Sequence, residues 1–320
     1  MNRPDNRIRN VTLRQLQIFS VAAQHLNFAR ASEELHLTQP AVWMQVKQLE
    51  DLVGLPLFEK IGRKMYLTAA GDEMRQTAGT ILAEIRRTEE RIALLAGGRG
   101  GTIALAVVST GKYFVPRLLA LFRREQPEVQ VNLTVANRDQ LVQMLGRNEV
   151  DMCVMGRPPA ELDTVAEAFA PHPHVVIASP EHPLARARGV DAQQLAAETL
   201  LLREPGSGSR AVMESYFAAH HVEPRHTVMM GSSETIKQAV MANMGLAFIS
   251  LHTLALELRT GDLVTLDVPG TPLMREWHVV RLASKKLSPS ADALRAFIVE
   301  HAGPWLETTF ADHLAPRPTA

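Results

Sequence analysis

A glycine cluster at residues 97–101 separates two parts of the chain that differ in hydrophobic pattern. Before it, apolar residues recur every three or four positions, which is typical of amphipathic helices. After it, short β-branched runs alternate with helical stretches, a pattern that predicts a parallel sheet with helices on both faces. Because glycine is unfavourable inside a helix, the cluster predicts a hinge between a helical part and an α/β part.

Composition limits the classes to which the chain can belong. Lys plus Arg and Asp plus Glu both number 34, so a nucleic-acid surface must be a local patch. No apolar run approaches the roughly 20 residues of a membrane helix, and the N-terminus lacks an apolar signal core. The single cysteine excludes an intramolecular disulfide. We therefore expect a globular cytoplasmic protein of two or three domains, with no membrane partner.

The first 54 residues predict three short helices. Thr12 and Gln15 form a capping box at the start of the first helix, because each side chain can satisfy the other's backbone amide. Asn27 and Thr38 are predicted to cap the second and third helices, and Gly54 to end the third. The buried stripe of the first helix is predicted to comprise Leu13, Leu16, Phe19, Ala23 and Leu26. The third helix is predicted to bury Val42, Val46, Leu49 and Leu52.

The second and third helices predict a helix-turn-helix, since only the turn His36-Leu37 separates them. The second helix of such a motif enters a DNA major groove. A basic segment at residues 60–64 precedes a short strand, as in a wing that touches phosphates. Residues 1–70 hold nine Lys or Arg against six Asp or Glu, so this region is positive within a neutral chain. The alternative interpretation is a small helical dimerisation module with a solvated polar face.

A heptad pattern follows this region and ends just before the glycine cluster. Its members are Met74, Ala78, Ile81, Ile85, Thr88, Ile92 and Leu95. Such a narrow seam favours a dimerising coiled coil, although a helix packed on its own protein is also amphipathic. Two linked copies would bind DNA more tightly than one.

The α/β part is predicted to contain strands and helices in alternation. The predicted strands are residues 103–108, 129–135, 150–155, 175–178, 228–230 and 246–249. The predicted helices are residues 115–125, 139–147, 211–220 and 234–243.

Two loops of the α/β part open helices and carry groups that can bind an anion. Residues 109–112 supply hydroxyls, backbone N–H groups and one cation, and residues 203–210 supply N–H groups and two arginines. Arg138 and Arg157 follow strands, where open α/β sheets bind ligands. Together these groups favour a small anionic ligand, such as a phosphorylated metabolite. The alternative for each loop is an ordinary helix cap with solvated arginines.

Several residues resemble chemical motifs without completing one. Cys153 lies in an apolar run that is typical of a buried strand. His172 and His174 lack a third ligand at metal spacing. The serines of both loops lack a partner base, and residues 206–209 lack the lysine of a phosphate-binding P-loop. We therefore expect no catalytic residue, no metal site and no cofactor.

Dense matches near the N-terminus resemble the signature of LysR-type transcriptional regulators. The matching positions are residues 16–19, 31, 37–42, 49–50, 54, 57–58, 67–68 and 71. Longer segments resemble CbbR-like regulators of Calvin-cycle carbon-fixation operons. These segments are TLRQLQIF (12–19), MQVKQLE (44–50), STGKYF (109–114), MGRPP (155–159), LLREPGSG (201–208), ETIKQAVMA (234–242) and SLHTLALELRTG (250–261).

The resemblance implies an α+β multi-domain fold. It comprises an N-terminal winged helix-turn-helix, a long linker helix and a two-lobed α/β effector domain like a periplasmic binding protein. The implied boundaries are a DNA-binding domain at 1–70, a dimerisation helix at 71–96, a hinge at 97–101, an effector domain at 102–310 and a tail at 311–320. The first lobe would be about 102–162 with 269–303 and the second about 163–268, joined by two crossover strands.

The resemblance also implies DNA contacts on the third helix and the wing. The implied residues are Thr38, Gln39, Pro40, Trp43, Met44, Gln45, Lys47 and Arg63. Glutamine suits adenine edges, whereas lysine and arginine suit guanine or phosphate. Trp43 departs from the family, which usually has serine there, so its indole cannot inherit a phosphate hydrogen bond. The predicted effector contacts are Ser109, Thr110, Lys112, Arg138, Arg157, Arg203, Ser207, Gly208, Ser209 and Arg210.

The implied partners are duplex operator DNA, a small anionic effector, RNA polymerase and further copies of the chain, as a dimer paired into a tetramer. The leading hypothesis is therefore a ligand-responsive, DNA-binding regulator of carbon-fixation genes. One alternative is a LysR-type regulator of another metabolic operon, because fold does not fix the pathway. The other is a two-lobed ligand-binding protein or enzyme with a helical appendage, which would need a signal peptide or a catalytic constellation.

Overall fold

A computed structural model describes residues 7–95 and 100–314. Residues 97–99 of the predicted hinge and 315–320 of the predicted tail lie outside the described residues. The chain divides into two compact units, the first comprising residues 1–97 with 146–149 and the second residues 98–145 with 150–320. Within the described ranges, no helix has the length and apolar character to cross a membrane.

The first unit is a three-helix head with a β-hairpin and a long helix. Its elements are α1 (Leu13–His25), α2 (Phe28–Leu35), α3 (Gln39–Val53), β1 (Phe58–Ile61), β2 (Lys64–Leu67) and α4 (Ala69–Leu95). The capping box is confirmed, because the Gln15 amide donates to the Thr12 hydroxyl over 3.2 Å and the Thr12 amide donates to Gln15 Oε1 over 2.9 Å. Gly54 ends α3 in the left-handed conformation, with φ of 79°.

The core of this head lies between α1, α3 and the start of α4. Phe19, Leu49 and Leu57 are fully buried at its centre. The predicted stripe is wrong at its two ends, since Leu13 and Leu26 are exposed. Leu13 is the first residue of α1 and Leu26 its left-handed cap, so neither lies over the core.

The apolar residues of the heptad pattern in α4 fall into two groups, one buried in the head and one exposed. Its first two members, Met74 and Ala78, are buried in the head's own core and are therefore not free for a second copy. Ile81 and Ile92 are exposed further along the same helix. The apolar seam that remains for another chain thus begins at Ile81, about two turns later than the sequence predicts.

The second unit is an α/β domain. Its strands are β3 (Gly101–Val108), β4 (Val129–Ala136), β5 (Met152–Met155), β6 (Thr164–Ala178), β7 (Thr199–Arg203), β8 (His226–Met230), β9 (Ala247–Ser250), β10 (Val264–Thr265) and β11 (Leu273–Leu282). Its helices are α5 (Val115–Glu125), α6 (Arg138–Gly146), α7 (Ala192–Ala197), α8 (Gly208–Ala219), α9 (Ser233–Met241), α10 (Ala255–Thr260) and α11 (Pro289–Leu314).

The sheets of this unit are parallel at both ends and antiparallel in the middle. Strands β4, β3 and β5 run parallel, as do β7 and β8. Between them β6 and β11 pair antiparallel over almost their whole length, from Leu273 opposite His174 to Leu282 opposite Thr164. These two strands are the predicted crossover strands between the lobes. The predicted parallel pairing is therefore present in β3, β4 and β5 and in β7 and β8, whereas the two crossover strands run antiparallel to the strands beside them.

Several elements differ from the sequence predictions. The predicted strand at 175–178 is only the end of β6, and the residues of β7, β10 and β11 were not assigned to strands. Helix α11 continues to Leu314, so the first residues of the predicted tail at 311–320 are helical.

The tightest glycine position in the head lies at the start of α4. A Cβ atom on Gly71 would stand 2.0 Å from the backbone carbonyl oxygen of Leu57, which cannot rotate away. We expect Gly71→Ala to lower the free energy of unfolding of the first unit by about 1–3 kcal/mol, the usual effect of overpacking. Amide hydrogen exchange in α1 and α4 measures this change.

The matched control is Gly231→Ala, since a Cβ atom on Gly231 has no heavy atom within 4 Å. Equal exchange rates in the Gly71→Ala variant and the unaltered protein would contradict the packing argument.

Candidate nucleic-acid interface and ligand cleft

The outer face of α3 presents large side chains to solvent. Thr38 caps the helix by accepting the Ala41 amide over 3.4 Å, and Gln39 and Pro40 form its first turn. Trp43 is 55% exposed and Met44 is 50% exposed, although both are bulky and apolar. Large apolar side chains this exposed commonly mark an interaction surface.

A groove runs between α3 and the β1–β2 hairpin. The hairpin turns at Gly62-Arg63, with Ile61 paired to Lys64 and Gly62 at φ of 63°. The groove is lined from the helix by Gln39, Trp43 and Lys47 and from the hairpin by Lys60, Arg63, Lys64 and Tyr66. Met44 and Gln45, also predicted to contact DNA, do not line this groove, although Met44 is exposed.

Glu50 joins α3 to the hairpin, a role that the sequence did not indicate. One carboxylate oxygen accepts the amides of Leu57 and Phe58 over 2.8 and 3.3 Å. The other lies 3.2 Å from Lys47 Nζ. Glu50 therefore fixes where the hairpin starts and also orients a lysine of the groove.

The second unit contains a cleft between its lobes, with a cavity volume of about 320 Å³. This volume lies within the range of small-molecule sites. Eight of the ten predicted effector residues line it: Ser109, Thr110, Arg138, Arg157, Ser207, Gly208, Ser209 and Arg210.

The start of α8 offers hydrogen-bonding groups to the cleft. Ser207 stands at the N-cap position, yet its hydroxyl makes no capping hydrogen bond. Thr110, Ser207 and Ser209 are buried, and none of their hydroxyls has a partner among the described residues. A ligand in the cleft can therefore engage these hydroxyls and the free N–H groups of the helix start.

The charges that line the cleft are mainly positive. Arg138, Arg157, Arg210 and Arg275 line it, against the carboxylates of Asp139 and Glu214. Arg210 Nε lies 2.7 Å from Glu214 Oε1, and Arg138 lies 3.6 Å from both Asp139 and Glu161. The excess of cations favours an anion, while the ion pairs fix how the arginines point.

Two predicted effector residues do not line the cleft. Lys112 Nζ lies 3.8 Å from Glu234 Oε1, with which it forms an ion pair. Arg203 is 4% exposed and donates to the hydroxyls of Ser109 and Ser233 over 3.2 and 2.8 Å. Its guanidinium also holds Glu204 over 2.8 Å, which completes its set of partners. Arg203 therefore positions the loop that carries Ser109.

The lining residues that were not predicted as effector contacts include Asn137, His172, His174 and Arg275. The two histidines were considered only as metal ligands. Because they lie two residues apart on β6, both project to the same face of the strand. A prediction of β6 at its full length would have found them.

Two family models match the chain. "Bacterial regulatory helix-turn-helix protein, lysR family" matches residues 13–72 and "LysR substrate binding domain" matches residues 96–303. The HTH-type transcriptional regulator CfxR of Cupriavidus necator is 51% identical over 93% of this chain and 94% of its own length. The RuBisCO operon transcriptional regulator of Allochromatium vinosum is 47% identical over 92% of this chain and 97% of its own.

Solved structures of similar fold include ligand and DNA complexes. The regulatory domain of Synechocystis PCC6803 CcmR in complex with 2-PG is 37% identical, with a TM-score of 0.60, over 64% of this chain and 100% of that one. Full-length CbnR with its target DNA has a TM-score of 0.62 over 90% of this chain and 99% of that one. At 22% identity, the CbnR match shows the shared fold alone.

Proposed function

Because this chain belongs to the LysR family of transcriptional regulators, we propose that it binds operator DNA of carbon-fixation genes in response to a small anionic effector. The relatives support the choice of operon, since two of them are named as CfxR and as a RuBisCO operon regulator. These relatives are regulators, and we propose that the protein acts through binding without catalysis.

DNA binding rests on one observation above the others. The exposed face of α3 and the basic hairpin turn line a common groove. In a winged helix-turn-helix, the helix enters the major groove and the wing contacts the backbone beside it. Lys47 and Arg63 lie on opposite sides of this groove and are two of its cations. Trp43 lies between them in our proposal, packed against a sugar or a thymine methyl group.

Effector binding rests on the cleft of the second unit. Its unpartnered hydroxyls, its helix start and its excess of arginines suit a phosphate or carboxylate group. The 37% identical CcmR domain was solved with 2-PG, which is 2-phosphoglycolate, a small anion. We take a phosphorylated metabolite as the ligand class for this cleft.

Self-association rests on α4. Ile81 and Ile92 are exposed on one stripe, and Ile85 lies half-buried between them. A second copy that packs along this stripe would bury these side chains in a coiled coil. The proposed assembly is a dimer that pairs into a tetramer, acts on DNA in the cytoplasm and meets RNA polymerase there.

The recognition surface is tested by removing its cations. Lys47→Ala and Arg63→Ala are each expected to weaken operator binding by about 1–3 kcal/mol, and to reduce the salt dependence if they contact phosphates. The probe is a genomic fragment selected by the unaltered protein, titrated at several salt concentrations. Arg186→Ala, an exposed arginine of the second unit, is the control. Unchanged affinity in both head variants would refute the assignment.

The seam is tested by placing a charge in it. Ile85→Glu is expected to dissociate the dimer, because two carboxylates would be buried opposite each other. Sedimentation measures the mass, and cooperative DNA binding is expected to be lost with the dimer. Arg86→Glu changes the charge of the neighbouring exposed residue and is expected to leave the assembly intact. An Ile85→Glu variant of unchanged mass would show that α4 does not hold the copies together.

The cleft is tested with 2-phosphoglycolate as the ligand. Thr110→Val and Arg210→Ala each remove a group that hydrogen-bonds to a charged ligand, so we expect roughly tenfold to hundredfold weaker binding by calorimetry. Basal operator binding is expected to persist, because neither residue lies in the head. Arg225→Ala, an exposed arginine that does not line the cleft, is the control. Equal affinity in all variants would place the anion elsewhere.

A further inference from the structure

Two neighbouring histidines on β6 line the cleft. His172 is 4% exposed and His174 is 3% exposed, and their ring centroids lie 4.4 Å apart. Both belong to the crossover strand and not to the loops that open helices. They therefore lie at the junction of the two lobes, beside Arg275 of β11.

The ring of His172 is fixed by its neighbours. It stacks on Trp277 with centroids 3.7 Å apart, and its Nε2 shares a hydrogen bond of 3.0 Å with Ser250 Oγ. Its Nδ1 is enclosed beneath Gly156, where a Cβ atom would stand only 2.6 Å away. His172 therefore serves as a rigid support for its neighbour.

His174 has one nitrogen free for the cleft. Its Nδ1 lies 3.2 Å from the backbone oxygen of His172 and must donate there, because a carbonyl can only accept. Its Nε2 has no partner among the described residues. Burial lowers the pKa of His174 to about 4; the hydrogen bond to His172 opposes this shift and Arg275 adds to it. With the proton on Nδ1, Nε2 is a hydrogen-bond acceptor at neutral pH.

A buried acceptor that has no hydrogen-bond partner favours a ligand that carries a donor. A phosphate or carboxylate oxygen placed against Nε2 would bring two lone pairs together, whereas a hydroxyl can donate to it. An alkyl group at the same place would leave the acceptor desolvated and unpaired, which is unfavourable. A hydrogen-bond donor is therefore the ligand group best suited to face His174.

We propose that His174 Nε2 accepts a hydrogen bond from a hydroxyl group of the effector, so that among phosphate ligands of equal charge the cleft prefers one that carries a hydroxyl at this position. This proposal rests on the proposed function, since the helix start at Ser207 and Arg210 would hold the anionic end. The cleft then has two subsites, a cationic one for the phosphate and a neutral one for the hydroxyl.

The experiment compares two ligands of equal charge, glycerol 3-phosphate and n-propyl phosphate, on the full-length protein. They share a three-carbon chain and differ in their hydroxyls. Calorimetry gives both dissociation constants, and their ratio isolates the contribution of the hydroxyls. We expect glycerol 3-phosphate to bind about fivefold more tightly, which corresponds to one neutral hydrogen bond.

Variants of His174 assign that preference to one atom. His174→Phe keeps a planar ring without the acceptor and is expected to abolish the ratio. His174→Gln places an amide oxygen near the Nε2 position and is expected to retain it. The matched control is His278→Phe, because His278 Nδ1 lies 3.1 Å from the carbonyl oxygen two residues before it, yet the residue does not line the cleft.

The ratio is also expected to stay constant between pH 6 and pH 8. His172 and His252, which lie beside His174, have pKa values lowered by burial, as His174 does. Both ligands are phosphate monoesters, so protonation of the phosphate largely cancels in the ratio. A charged His174 would instead strengthen binding of both anions as the pH falls.

The outcomes separate the two proposals. A ratio of one in the unaltered protein, or a ratio that survives His174→Phe, overturns the hydroxyl subsite while leaving the anion site intact. If glycerol 3-phosphate, n-propyl phosphate and 2-phosphoglycolate all fail to bind, the effector part of the proposed function is wrong. The hydroxyl subsite is then wrong as well. The unaltered protein alone gives the first result, so misfolding of a variant cannot hide it.

Discussion

The antiparallel pairing of β6 with β11 is the constraint on which the cleft depends. Each strand begins in one lobe and ends in the other, and their register runs unbroken apart from one shift between Trp277 and His278. Because the same two strands connect both lobes, the loops at Ser109 and Ser207 can face each other across the cleft. The crossover strands also supply His174 and Arg275, which the loops alone would lack.

Arg203 was predicted to bind the effector, but in the fold its charge binds groups of the protein itself. Its guanidinium is buried, and its donors are directed to Ser109, Ser233 and Glu204. A buried cation without such partners would be strongly destabilising, so these contacts are a condition for placing it there. The result is a fixed position for the first loop of the cleft, and Arg203 itself does not line the cleft.

The head could be predicted from sequence because its signals are local. A capping box at Thr12, a cap at Thr38 and a stop at Gly54 each act within a few residues, and all three are present in the structure. The family resemblance gave the two-lobed architecture, which the matching family models confirm. Burial at the ends of α1 depends on contacts outside the helix, and there the predicted stripe was wrong.

The crossover strands were harder to predict because their pairing is distant along the chain. Pro171 and Pro173 lie within β6, and proline lacks the N–H group that a central strand normally donates. Prolines at these positions weaken the strand signal, and only the β-branched end at 175–178 is predicted from the sequence. His172 and His174 lie in the part of β6 without that signal, so nothing in the sequence placed them beside the cleft.

The cleft also shows why counting charged residues overstates an anion site. Of the cations predicted there, Lys112 and Arg203 are committed to other groups, and Arg138 and Arg210 each share a carboxylate. What remains for a ligand is a modest positive field and a set of neutral groups that have no partner within the described part of the chain: three hydroxyls, a helix start and the Nε2 of His174. A positive field attracts any anion of suitable size, whereas unpartnered neutral groups reward only the ligand that satisfies them. Selectivity among anionic metabolites must therefore come mainly from the neutral groups.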